Sequence, residues 1–258
     1  GIRGAAIATV SAQVIALLWQ LKQFNNANEL LHFRRGIFRL KRKIVFDSLA
    51  IGMSPFLMNL AACLIVILIN QGLKKYGGDL AIGAFGIVNR LVFIVVMIVM
   101  GLNQGMQPIA GYNFGAKLYD RVNKVLKLTI IYATCVTTFG FLVGMLAPNL
   151  VVGIFTSDAE LTELSATGLR ITVMFFPIIG FQMVTSNFFQ SIGMAGKAIF
   201  LSLTRQMLIL LPCLLILPHF FGVAGVWYSM PVSDLLASLI ALVMLVYQFR
   251  KFKTAAAH

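Results

Sequence analysis

Seven uninterrupted apolar blocks, at about 5–21, 46–73, 80–109, 125–147, 164–192, 198–217 and 223–249, take up most of these 258 residues. A helix rises 1.5 Å per residue and needs about 20 apolar residues to cross bilayer hydrocarbon, so each block is long enough to span. Lipid offers backbone N–H and C=O groups no partner, which limits spanning segments to helices and closed barrels. The blocks are continuous and lack the alternation of barrel strands, which decides for helices. Composition points the same way: 59% of residues are hydrophobic and 11% charged, against about 45–50% and 25% in a soluble domain. The expected fold is an all-α polytopic membrane bundle of seven transmembrane helices.

The net charge of +13 is unevenly placed between the blocks. Arg34, Arg35, Arg39, Lys41, Arg42 and Lys43 fill the first connection, and Lys74 and Lys75 the second. Lys117, Arg121, Lys124 and Lys127 follow in the third, whereas the fourth has no base and carries Asp158, Glu160 and Glu163. Lys197 marks the fifth, His219 the sixth, and Arg250, Lys251 and Lys253 the tail. Basic connections lie on the cytoplasmic side of a membrane, so the odd connections and the tail are inside and the C-terminus is cytoplasmic. Bases clustered between apolar blocks suit anionic lipid; no nucleic-acid-binding pattern is present.

An enzyme needs an acid–base pair, a nucleophile or a metal set within reach. His32, His219 and His258 lie outside the blocks, and no His-Glu-x-x-His or paired-carboxylate spacing occurs, so no catalytic residue, bound metal or cofactor is expected. Cys63, Cys135 and Cys213 sit inside apolar runs and read as packing residues.

Ionisable residues inside spans are costly and mark function by default. Arg90, Arg170, Arg205 and Asp234 qualify. Arg90 and Arg170 lie toward block ends, where long side chains reach the interface. Asp234 is the one acid deep in a block. Arg205 lies about five residues from it in depth, roughly 7.5 Å at helical rise, so an Arg205–Asp234 pair is expected. That pair either fixes packing or exchanges a proton or cation, with the adjacent positive charge stabilising the ionised acid.

Neutral polar residues within spans should face protein or water. Asn59, Gln182, Asn187 and Gln190, with neighbours Met53, Phe56, Met183 and Phe188, are the candidates for lining a substrate cavity. Thioethers adapt to varied ligands, and aromatic faces attract organic cations. Pro55, Pro108, Pro177, Pro212 and Pro231 are expected to bend their helices, with breaks near Pro55 and Pro177.

An internal repeat is also legible. Gly1-Ile-Arg-Gly4-Ala5 aligns with Gly222-Val-Ala-Gly225-Val226, and both helices close on Gln-Phe, at Gln23-Phe24 and Gln248-Phe249. On that reading residues 1–24 are the last transmembrane helix of a preceding lobe, 25–44 a basic cytoplasmic linker, 45–250 a six-helix lobe and 251–258 a cytoplasmic tail. With no initiator Met at Gly1, the chain reads as part of a longer one, with about 200 residues expected upstream.

The run Gly105-Met-Gln-Pro108-Ile-Ala-Gly111-Tyr-Asn113-Phe-Gly115-Ala116 resembles the loop after the eighth helix of multidrug and toxic compound extrusion (MATE) transporters. Gly52-Met-Ser-Pro55 resembles the start of their seventh helix. Phe188-Phe-Gln190-Ser-Ile-Gly193 and Ser202-Leu-Thr-Arg205-Gln206 are similar to the MepA- and DinF-like branch. The resemblance implies helices six to twelve of a twelve-helix fold, the C-terminal half of a two-lobed antiporter in the bacterial cytoplasmic (inner) membrane. It implies export of cationic and amphipathic drugs in exchange for H+ or Na+, with the missing N-terminal lobe as partner. Residues 48–73 and 164–192 contain no Asp or Glu, which argues against the carboxylate sodium site of the NorM branch. The alternatives are a lipid-linked oligosaccharide flippase of the same superfamily and a non-transporting membrane scaffold.

Overall fold

A computed structural model describes residues 2–26 and 41–256, which divide into two compact units, Gly1–Met53 and Ser54–His258. The first contains helix α1, Ile2–Phe24, and the opening turns of α2 from Arg42. Apolar side chains such as Ile7, Val10, Leu18 and Trp19 are exposed on α1, the pattern of a helix that is apolar all round. Most of the expected 25–44 linker lies outside the described residues, including His32, Arg34, Arg35 and Arg39.

The helix α2, Arg42–Gly115, has 74 residues, about 110 Å if straight. It is not straight. Gly78 has φ 67° and ψ −163°, a conformation essentially confined to glycine, and it divides α2 into legs 42–77 and 79–115. Ile65 and Val96 line one cavity, although 31 residues of straight helix would separate them by about 47 Å. The chain therefore reverses at Gly78. Space is open around its Cα, so a side chain there would strain the backbone without colliding. Gly78→Val is expected to cost about 1–3 kcal/mol, read as a lower unfolding midpoint in detergent.

Helix α3, Tyr119–Leu146, follows a three-residue turn, and after Ala147 a short helix, α4, covers Pro148–Val152. Residues 153–158 lead to α5, Ala159–Val173, whose N-cap Asp158 accepts a hydrogen bond from the Leu161 amide at 2.9 Å, satisfying one orphan donor of the first turn. Helix α6, Phe176–Ser191, continues α5 at a bend of 55°. Pro177 causes the break: it has no amide to bond the Val173 carbonyl. By contrast α2 runs unbroken past Pro55 and Pro108, so the break expected near Pro55 is not seen. Helix α7, Ala195–Leu203, passes through a π-turn, Thr204–Leu210, into α8, Leu211–Phe221. Gly222 alone connects α8 to α9, Val223–Ala256.

Among the described residues, four helical stretches are long and apolar enough to cross a membrane: Phe56–Gly115, Tyr119–Leu146, Gly196–Phe221 and Val223–Gln248. The bent pair α5–α6 makes a fifth if counted as one span. The fold is all-helical, as expected, and the first of these stretches holds the Gly78 reversal, so it comprises two helical legs.

The second unit buries two apolar clusters. One joins both legs of α2 with α5, α6 and α9 through Ile69, Leu73, Phe85, Val173, Phe176 and Trp227. The other joins the end of α2 to α3, α6, α7 and α9 through Met106, Leu126, Phe188, Phe189, Leu201 and Leu245. Helices α3 and α6 approach closely because Gly180 has no side chain: a Cβ there would lie 2.8 Å from the Ala133 carbonyl oxygen and 2.7 Å from Thr137 Oγ1. Small residues serve membrane helices in this way, since lipid is too apolar to drive helices together.

Candidate functional site: an ion pair at a cavity between helices

Asp234 is the twelfth of the 26 residues in the span Val223–Gln248. It follows Pro231, whose missing amide leaves the Trp227 carbonyl without its helical donor. Ser233 and Ser238 turn back on their own helix, donating to the Met230 carbonyl at 2.7 Å and the Asp234 carbonyl at 2.6 Å. Polar atoms of these serines are thus satisfied locally, and the carboxylate of Asp234 is left to find a partner on another helix.

That partner is Arg205, which enters from the π-turn. The wider turn bonds each amide to the carbonyl five residues back, as Leu211 N–H does to Gln206, and it precedes Pro212, which can make no such bond. Single π-turns occur often at functional sites. Arg205 Nε lies 2.9 Å from Asp234 Oδ1, with side-chain exposures of 34% and 8%. The Nε–H is not directed along that line, so both atoms remain without a hydrogen bond. The contact is an ion pair with unused hydrogen-bonding directions, and this pair faces a cavity.

The cavity holds about 250 Å³, near the lower end of small-molecule sites. Its walls are mostly apolar, including Ile65, Phe85, Val92, Phe176 and Met230; polar groups enter from Asn89, Thr172 and Ser233 beside the pair. Next to Arg205 in the chain, Thr204 Oγ1 and Gln206 Oε1 are also buried without a partner.

The sequence candidates are scattered relative to this cavity. Arg205, Asp234 and Met183 line it together. Gln182 is buried one position away from Met183, and Asn187 Nδ2 donates to the Met183 carbonyl at 3.0 Å, a bond within its own helix. Phe188 is fully enclosed in the second apolar cluster against Phe189, their ring centroids 6.0 Å apart. It is a core residue and does not line this cavity. Phe56, Asn59 and Gln190 are exposed on the unit; the Met53 side chain lies outside the described residues. Arg90 and Arg170 are exposed.

Asn89, Thr172, Ser233 and Phe85 were missed by sequence reasoning. Ser233 and Asn89 stand next to charged candidates in the chain, which is the one signal that could have found them. The Gly105–Ala116 run is helical to Gly115 rather than a loop. Its Gly111 lets α2 meet the end of α6, where a Cβ would lie 2.9 Å from the Ser191 carbonyl oxygen. Asn113 closes the helix, its side chain donating to Ile109 and its carbonyl accepting from Leu118 at 2.9 Å.

Long apolar helices, broken by a proline bend and a π-turn around a charged cavity, define a polytopic membrane bundle with an internal polar site. The chain belongs to the MatE family, whose model matches residues 50–216. It is 27% identical over 251 residues to the multidrug export protein MepA of Staphylococcus haemolyticus, covering 96% of this chain and 54% of that protein. MepA of Staphylococcus saprophyticus is 24% identical over 247 residues, with the same coverage. The solved, ligand-bound structure of the MATE multidrug transporter DinF-BH is 36% identical, with a TM-score of 0.81 over 96% of this chain and 56% of that one. An outward-facing multidrug resistance MATE family transporter matches in fold at a TM-score of 0.83 and 21% identity, over 98% of this chain and 57% of that one. The chain spans about half the length of the curated relatives it matches.

Proposed function

We propose that this chain is the C-terminal half of a secondary antiporter that exports cationic and amphipathic drugs across the bacterial cytoplasmic membrane in exchange for H+ or Na+. The observation that carries the reading is the Arg205–Asp234 pair, placed at mid-span and facing a cavity with hydrogen-bonding directions unused. Burying the carboxylate of such a pair costs desolvation that apolar packing would avoid, so its presence in a span favours a working site. Membership in a family that includes multidrug exporters supports the substrate class. The basic connections and tail support a cytoplasmic C-terminus.

In the intact protein the N-terminal half supplies the opposing lobe. Ion and drug each favour a different orientation of the lobes, and that differential affinity couples their movements. Asp234 is the proposed coupling-ion residue and Arg205 its electrostatic partner. No resident cofactor is invoked.

Everted vesicles containing the intact protein should move ethidium when a proton or sodium gradient is imposed, and stop when an ionophore collapses it. Transport that is absent under both gradients, with unchanged drug susceptibility of the expressing cells, would overturn the drug-antiport reading.

A further inference from the structure

Helix α3 has two faces of opposite character. Val122, Leu126, Thr129, Ala133 and Thr137 are buried, on the side that meets α6. The opposite side is exposed and changes abruptly along its length. Its first turns present Arg121, Lys124 and Lys127, all exposed. Below them Leu128, Ile131, Tyr132, Phe139 and Leu142 form an exposed apolar stripe.

The dimensions fit one leaflet boundary and the hydrocarbon beneath it. From Lys124 to Leu142 is about 27 Å along the helix, close to the roughly 30 Å of bilayer hydrocarbon. The three cations are also uncommitted within the protein. Among the described residues the ion pair is Arg205–Asp234, and Asp120, the acid in the same first turn, pairs with none of the three. Lys197 differs: it donates to Gln248 and lies 5.3 Å from the centroid of the Phe189 ring. A soluble acidic partner would use the bases and leave the contiguous stripe unexplained; a phospholipid uses both.

We propose that this face of α3 is a binding site for an anionic phospholipid. The headgroup phosphate lies against Arg121, Lys124 and Lys127, and an acyl chain runs along Leu128, Ile131 and Tyr132. This site rests on the chain's membrane character and is independent of whether the protein transports drugs.

The test uses the intact protein reconstituted with brominated phosphatidylglycerol or brominated phosphatidylcholine. A reporter Leu128→Trp is placed under the bases and Leu142→Trp at the far end, each signal taken as the difference from the parent protein. In bilayers that mix the brominated lipid with an unbrominated neutral one, quenching of Leu128→Trp should report a relative affinity for the anionic lipid about fivefold higher for each base engaged. That preference should fall to near unity in Arg121→Gln/Lys124→Gln/Lys127→Gln, and Leu142→Trp should show none in either background. Equal quenching by both lipids at Leu128→Trp would overturn the site, as would a preference that survives loss of the three bases. Absence of quenching at both reporters would overturn it too, because the face would then be covered by protein. Drug efflux is not a readout, so failure here leaves the antiport reading to its own experiment.

Discussion

Gly180→Val should unfold the α3–α6 interface. The new side chain would have to occupy space 2.8 Å from the Ala133 carbonyl oxygen and 2.7 Å from Thr137 Oγ1. Thr137 is tied in place by donating to that same Ala133 carbonyl at 3.0 Å, so neither neighbour can swing aside as the tip of a long side chain would. Overpacking costs typically 1–3 kcal/mol; with backbone as the obstacle, about 3 kcal/mol or more is expected. Thermal unfolding in detergent should show a midpoint lowered by roughly 6–12 °C. Gly105 supplies the control, because nothing lies within 4 Å of a Cβ built there. Gly105→Ala should be neutral or slightly stabilising. Equal midpoints for the two variants would show that α3 and α6 do not meet at Gly180.

The second large effect separates stability from transport at Arg205–Asp234. Asp234→Ala leaves a guanidinium facing an apolar cavity without its counter-charge. Breaking a fully buried pair costs about 3–5 kcal/mol; with Arg205 one-third exposed, about 2 kcal/mol is the expected loss. Adding Arg205→Met should recover most of it, since an apolar replacement of both partners removes the desolvation cost. Efflux should not return in the double variant. Asp234→Asn, which keeps the volume and removes the charge, should fold and lose the response of efflux to an imposed pH gradient. Undiminished efflux by Asp234→Asn across pH would assign the pair to packing.

The pair is legible in the sequence because depth in a span can be counted. Arg205 and Asp234 are placed at similar depth by helical rise alone, and ion pairing is strong enough in a lipid setting to make that coincidence meaningful. The helical class is equally legible, since continuous apolar runs admit few alternatives. Which face a residue takes is not. Phe188 and Met183 are both apolar residues of the same helix, yet one is sealed in the core and the other reaches the cavity; composition does not separate them. The π-turn has no sequence signal beyond Pro212. The reversal at Gly78 is expected only as a short connection around 74–79, because the sequence cannot show that one glycine suffices.

Economy of connection has a mechanical consequence. One residue joins α8 to α9, two join α5 to α6, and three join α2 to α3 and α6 to α7, whereas six separate α4 from α5. Rods hinged so tightly cannot slide past one another lengthwise, because no slack exists to take up the travel. Within Ser54–His258 the tightly joined helices can only swing together, and the longest slack among these connections is residues 153–158.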